Sequence, residues 1–317
     1  SFDKTLDNSL VDDSRYAYIL PSVHYSNQYQ TGRRISLRYS TSVNMPGLNQ
    51  LLPVTNTINQ LSLYKGNINL TPEYRHNLTI DWSLFDAFSF TSLFTRVGGG
   101  YTRNKVSTSQ SVKEDYTMTV TPVNVDYDIS AWSQINFSTP LRAWGMKTNA
   151  SSHESFHRSI SVINSEDNLQ TMFSHHLDLN LENRRKDTFH LRAGGAVTVN
   201  DVKYSVADNM NNVYFNTRYY ADFRLTPADS WDIDASASVV NYNAESFKEA
   251  VSIPVIKAGI SCHFLSGNRA TLSLRGYDLL NKYSSYERIS TINYLMEREK
   301  NVIGRYVMLS LQMRTGK

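Results

Sequence analysis

The residues best suited by type and spacing to chemistry are His153, Glu154 and His157, a literal His-Glu-x-x-His. On a helix, residues i and i+4 stack on one face about 6 Å apart, so two imidazoles can share a zinc ion while the glutamate acts as base. The flanks here are Thr148-Asn-Ala-Ser-Ser and Arg158-Ser-Ile-Ser-Val, which are poor helix formers. On a strand the two histidines lie about 13 Å apart, too far for one zinc with bonds of about 2 Å. The motif is therefore expected to be a strand-to-loop segment. His175 and His176 are adjacent in a strand pattern and point to opposite faces. Gly98-Gly99-Gly100 is followed by no helix signal, which argues against a phosphate loop. No Gly-x-Ser-x-Gly elbow occurs. The expectation is a protein that is not an enzyme and carries no cofactor or metal.

Charges at alternate positions are more informative. Asp126, Asp128, Trp132, Arg218, Asp222 and Arg224, with Asp232, Asp234 and Lys257, all fall on the polar side of alternating segments. In a barrel that side faces the lumen, where such residues form either a wet wall or a polar path. Ligand capture is expected instead of the long connections, where Tyr64, Lys65, Tyr283, Tyr286, Arg288 and Tyr294 offer stacking and charge.

Strands must position all of these. The clearest unit is Pro254 to Asn281. Ile256, Ala258, Ile260, Cys262 and Phe264 alternate with Lys257, Gly259, Ser261 and His263. Ser266-Gly267-Asn268 makes a turn, and Ala270, Leu272 and Leu274 alternate with Thr271, Ser273 and Arg275 on the return. The same pattern recurs along the chain after a polar opening, Ser1 to Ser14, read as a loop. It is seen at Ile19–Tyr25, Ile35–Val43, Leu78–Leu84, Phe88–Phe94 and Val123–Phe137. A weak strand starts near Trp144, a clear one covers Phe173–Leu181, and others begin near Phe189, Val213, Trp231, Pro254, Arg269 and Arg305. The number of strands is about thirteen, with no long amphipathic helix. Connections near Gly32, Ala87, Leu141, Arg185, Ala228 and Gly267 are short. Those at Met45–Pro72, Thr102–Asp115 and Lys282–Asn301 are long and polar.

The chain has 317 residues, of which 40% are apolar, and no run of 18 apolar residues, so a transmembrane helix is excluded. A membrane barrel is not, because only alternate residues meet lipid. A soluble sandwich has equally one-sided strands. Loop lengths that alternate from rim to rim favour the barrel. So do aromatics gathered at the short turns: Phe85, Phe88, Phe137, Trp144, Phe189, Phe223, Trp231 and Phe264. The fold class is all-β, an antiparallel up-and-down transmembrane β-barrel. Net charge is +3 and spread along the chain, with no basic block for nucleic acid. The single cysteine, Cys262, allows no internal disulfide and reads as a buried or lipid-facing thiol.

Three stretches resemble the C-terminal barrel of TonB-dependent outer-membrane receptors, especially the outer-membrane β-barrel family common in Bacteroidetes. They are Ile35–Ser40 running into Met45-Pro46-Gly47-Leu48-Asn49-Gln50-Leu51-Leu52-Pro53; Gly66-Asn67-Ile68-Asn69-Leu70-Thr71-Pro72-Glu73-Tyr74-Arg75-His76; and Leu272–Tyr277 with Asp278-Leu279-Leu280-Asn281 and Gly304-Arg305-Tyr306-Val307-Met308-Leu309-Ser310-Leu311. Ile163-Asn164 falls where such proteins carry a pair before a loop. The resemblance implies that residues 1–317 form the C-terminal part of a barrel of about 22 strands. On that resemblance the plug domain and first strands are expected outside this chain. An odd strand number also leaves the two ends on opposite rims, whereas a complete bacterial barrel has an even number. The implied function is active import of a scarce nutrient across the bacterial outer membrane. Its partners would be outer-membrane lipid, the TonB complex acting through the plug, and a surface lipoprotein. The alternative is a non-transporting barrel that serves as scaffold or subunit of a surface or assembly complex.

Overall fold

The hairpin at 254–281 forms as its alternation requires. Strands β13 (Val251–Phe264) and β14 (Ala270–Tyr277) pair antiparallel, with Ile260 opposite Leu274 and Cys262 opposite Leu272. On the other face the Ser261 and Ser273 hydroxyls meet at 2.9 Å. Leu265, Gly267 and Asn268 in the turn have positive φ, which Gly and Asn adopt at least cost.

In the computed structural model this unit repeats along the chain. The structure describes residues 16–53, 55–56, 62–112, 117–206, 211–243, 250–283, 285–290, 295–300 and 302–314. The opening segment Ser1–Ser14 and Tyr294 lie outside them. The other strands are β1 (Ser22–Gln30), β2 (Arg33–Asn44), β3 (Thr55–Asn56), β4 (Ser62–Lys65), β5 (Glu73–Asp86), β6 (Thr91–Val112), β7 (Met118–Leu141), β8 (Met146–Ile163), β9 (Glu166–Asn183), β10 (Phe189–Tyr204), β11 (Asn212–Ala228), β12 (Trp231–Tyr242), β15 (Ser285–Ser290), β16 (Leu295–Lys300) and β17 (Tyr306–Met313). Thirteen of them hydrogen-bond in the order β1-β2-β5-β6-β7-β8-β9-β10-β11-β12-β13-β14-β17. The sheet is open, with β1 and β17 as its outer strands.

Register gives this sheet two unlike faces. One row runs Leu93, Phe137, Ala150, Leu179, Gly195, Tyr219, Val239 and Pro254 across β6 to β13. The apolar partners continue through Ile260–Leu274–Leu309 to the last strand. No part of the described chain covers this face: Leu179 is 59% and Leu309 68% exposed. A water-soluble sheet would bury it, whereas hydrocarbon solvates it at no cost. On β7 the apolar stretch lies between Phe137 and Tyr127, ten residues apart. That is about 33 Å of strand, or about 25 Å across a membrane at a tilt of about 40°, the height of an outer-membrane apolar band.

Above this band the chain builds an ordinary protein core. β4 pairs in parallel with the start of β7, and the end of β8 pairs in parallel with β6. Leu70, Pro72 and Val125 are buried there. The Asn124 side chain accepts from the Thr71 amide (2.7 Å) and donates to the Thr71 carbonyl (3.0 Å). Glu73 is buried and takes Lys105 Nζ, Asn44 Nδ2 and the Val106 amide.

Several expectations change here. Thr102–Val112, expected as a polar connection, is the outer part of β6, and β7 starts at Met118 and not at Val123. Water meets both faces at that height, so alternation disappears although the strand continues. The long connection at Met45–Pro72 holds a short helix, α1 (Leu48–Leu51), with β3 and β4, and the one at Lys282–Asn301 holds the hairpin β15–β16. The loop expected after Ile163-Asn164 is a two-residue turn, with Asn164 and Ser165 at φ 48° and 71°. Such paired positive φ values match the twist of the flanking strands.

Candidate functional site

His153, Glu154 and His157 all lie inside β8. His153 and His157 share the polar face, and His157 Nε2 is 2.8 Å from Asp128 Oδ2. Glu154 points to the apolar face, where it bonds His175 and accepts from Ser152 Oγ (2.7 Å). His176 points the other way and meets Thr198 Oγ1 at 2.8 Å. A shared zinc site is thus geometrically excluded for the motif. No group of three metal-ligating side chains occurs among the described residues. Gly98–Gly100 sits within β6. A Cβ at Gly98 would come within 2.5 Å of the Trp132 ring, so this glycine makes room for an indole lying across the strand.

The cross-strand registers place Asp126, Asp128, Trp132, Arg218, Asp222, Arg224, Asp232, Asp234 and Lys257 on the face opposite the apolar one. They do not form one site. Asp128 belongs to the His157 contact. Asp232 accepts from Thr226 Oγ1 (2.6 Å) and lies 2.9 Å from His263 Nε2. Asp234 is 3.7 Å from Arg275. Tyr64 and Lys65 are in β4, where Tyr64 pairs with Val120, away from the other loop residues. The backbone places Tyr286 and Arg288 in β15.

Arg218, Asp222, Lys257 and Tyr283 do come together. They line a cavity of about 700 Å³ with Tyr220, Tyr277, Tyr306 and the segment Val302–Gly304. Its construction begins at Gly194. A Cβ there would sit 2.7 Å from the Tyr220 hydroxyl and 2.6 Å from the Asn180 Cβ. With hydrogen in its place, Tyr220 crosses β10 and donates to both carboxylate oxygens of Asp178 on β9, at 2.8 and 2.9 Å. Arg192 and Arg218 lie over its ring at 5.0 and 5.3 Å, and the residue is only 8% exposed. The cation–ring contacts and the charged hydrogen bond fix this residue, which fixes Arg218 in turn.

The far wall is set by Asp278 and Asn281, both at positive φ. Asp278 is 4% exposed and accepts the backbone amides of Lys282 and Tyr283 at 3.1 and 3.0 Å. Asn281 Oδ1 accepts the Arg305 amide at 2.9 Å. These bonds fold Tyr283 and Val302–Gly304 back over the ends of β14 and β17. There Tyr277 and Tyr306 stack with centroids 4.6 Å apart and planes at 14°. The cavity thus opens on the polar face at the long-connection end of the sheet.

Arg192, Gly194 and Tyr220 were not singled out in the sequence, although Tyr220 stands between Arg218 and Asp222 as a large ring on the charged side. Tyr277 and Tyr306 lie inside the quoted motifs, but only register brings them together.

An uncovered apolar face of membrane height backed by a charged face defines a membrane protein that spans with strands. No helix among the described residues is long and apolar enough to do so. The class is an outer-membrane β-barrel. More particularly, a family model described as "Outer membrane protein beta-barrel family" matches residues 2–312, and the chain belongs to that family. Its location is the outer membrane. No curated protein and no solved structure matches the chain.

Proposed function

We propose that the chain is the barrel part of a TonB-dependent importer and that its polar face lines the path of a scarce nutrient. The observation that carries this reading is the cavity at the long-connection end of the polar face, shielded from lipid and lined by charges and rings. A purely mechanical wall has no need of such a recess. The motifs at Gly66–Glu73, Asp278–Asn281 and Gly304–Leu311 support it further, since they resemble importers. The partners would be a plug domain, the TonB complex that acts on it and a surface lipoprotein.

The test is site-specific photocrosslinking in the parent cell, with the native protein as bait and TonB as the target. A crosslink that strengthens when nutrient is supplied supports import. Its absence, together with an upstream coding sequence that lacks a plug and TonB box, would assign the barrel to a scaffold or assembly role.

A further inference from the structure

We propose that the cavity between β11, β14 and β17 binds a small anionic solute with a flat ring face, held by Lys257 and Arg218 and stacked on the tyrosines at its rim. This rests on the reading of the polar face as a solute path and names the class of solute.

The argument starts from charge. Four ionisable side chains other than tyrosine line the cavity: Arg218, Asp222, Lys257 and Asp278. The carboxylate of Asp278 is buried and committed to two backbone amides. That of Asp222 lies 3.7 Å from Arg192 outside the cavity. Arg218 rests on the Tyr220 ring, and no carboxylate among the described residues lies within ion-pair distance of it or of Lys257. Register explains why Lys257 is left over. It pairs with Ser236, which pairs with Asp222, so two strand spacings, about 10 Å, separate the opposite charges. Ser236 between them, and Ser238 between Tyr220 and Val255 in the row two residues along, are too short to fill the gap. Two cations therefore face a low, hydroxyl-bearing floor, an arrangement that favours an anion entering from water.

Ring recognition comes from the other wall. Tyr277 and Tyr306 form a parallel stack, and Tyr283 is 47% exposed beside it. Tyrosine rings offer stacking area at little entropic cost, and their hydroxyls reach polar groups on the same solute. A volume of about 700 Å³ falls among small-molecule sites and suits a solute of a few rings. An acidic sugar and an aromatic carboxylate share this chemistry.

The experiment uses the native protein, extracted from the parent outer membrane into detergent, and calorimetry with three probes: trigalacturonate, salicylate and neutral maltotriose. At least one acid should bind about tenfold or more tighter than maltotriose. The double variant Lys257→Gln/Arg218→Gln should lose about ten- to a hundredfold of that affinity while its heat-modifiable gel mobility stays normal. Whichever acid binds identifies the source of the carboxylate. Equal binding of maltotriose, no binding of either acid, or undiminished binding by a normally folded variant would each overturn the proposal. Binding in detergent needs no energy input. An acid that binds a protein with no TonB crosslink would leave this site standing and remove the importer. A crosslink without acid binding would do the reverse.

Discussion

The outward faces of β11–β14 with β17 and of β7–β10 belong to one continuous sheet surface but are built differently. On β12, β13, β14 and β17 the outward residues are apolar from row to row, with Ile233, Ile260, Leu274 and Leu309 in succession. On β7 to β10 one row reads Ser133, Glu154, His175 and Val199. Ser133 is four residues above Phe137 and six below Tyr127, so this row crosses the band and does not lie at its edge. Glu154 and His175 are bonded to each other, and Ser152 completes the carboxylate's partners. The first region is solvated by hydrocarbon alone. The second carries its own polar partners into the band, and that pairing makes the row tolerable there.

Substitutions sharpen this contrast, and the largest effect is expected on the uninterrupted side. Ile260→Arg places an unpartnered charge among Ile233, Leu274 and Leu309, at a cost of about 2–4 kcal/mol near the midplane. Heat-modifiable barrel in outer-membrane extracts should fall sharply, and a normal yield would mean that this face does not meet lipid. Next comes the double change Glu154→Leu/His175→Leu. Exchange of both partners of a hydrogen-bonded polar pair for apolar side chains on a face that meets lipid is nearly neutral or stabilising, so the urea midpoint should hold or rise. A fall would show that another protein surface covers the row.

A smaller effect is expected at the upper edge. Ile129 shares its face with Tyr127, Ala131 and Ile135, but it is two residues from Tyr127 and pairs with Arg158. Ile129→Arg should therefore cost only about 0–1 kcal/mol, the interfacial value. Ser130→Arg, on the polar face with Asp128 and Gln134, should leave assembly unchanged. Extraction yields of the two variants in parallel decide it: a worse result for Ser130→Arg would reverse the two faces.

Much of this could be read from the sequence because a strand at a lipid–water boundary must alternate. The hairpins around Gly32, Ala87, Leu141, Arg185, Ala228 and Gly267 all form, and the aromatics near them stand at the short-turn rim. The motif residues Glu73, Asp278 and Asn281 act as hydrogen-bond nodes that return the chain to the sheet. Alternation fails as a signal wherever both faces are wet, which hid Thr102–Val112 and β4. The Asn164-Ser165 turn had a local signature in asparagine, which accepts positive φ readily. The cavity was hardest to foresee. Tyr220, Gly194 and Asp178 are joined by the pairing of three strands, and a single sequence carries no record of which residues oppose one another.

The strands are very unequal in length. β7 has 24 residues and β6 has 22, while β14 and β17 have 8 each, with β10 at 16 and β12 at 12 between them. Crossing the band takes about 9–11 residues, so the surplus rises as a parapet on one side and dwindles along the sheet. The tyrosine-lined cavity lies at the ends of the shortest of these strands, where the connection between β14 and β17 carries the hairpin β15–β16. A diffusing solute therefore meets an asymmetric rim: on the tall flank the wall is continuous sheet, and on the low flank the connection between β14 and β17, with its hairpin, stands where the strands stop.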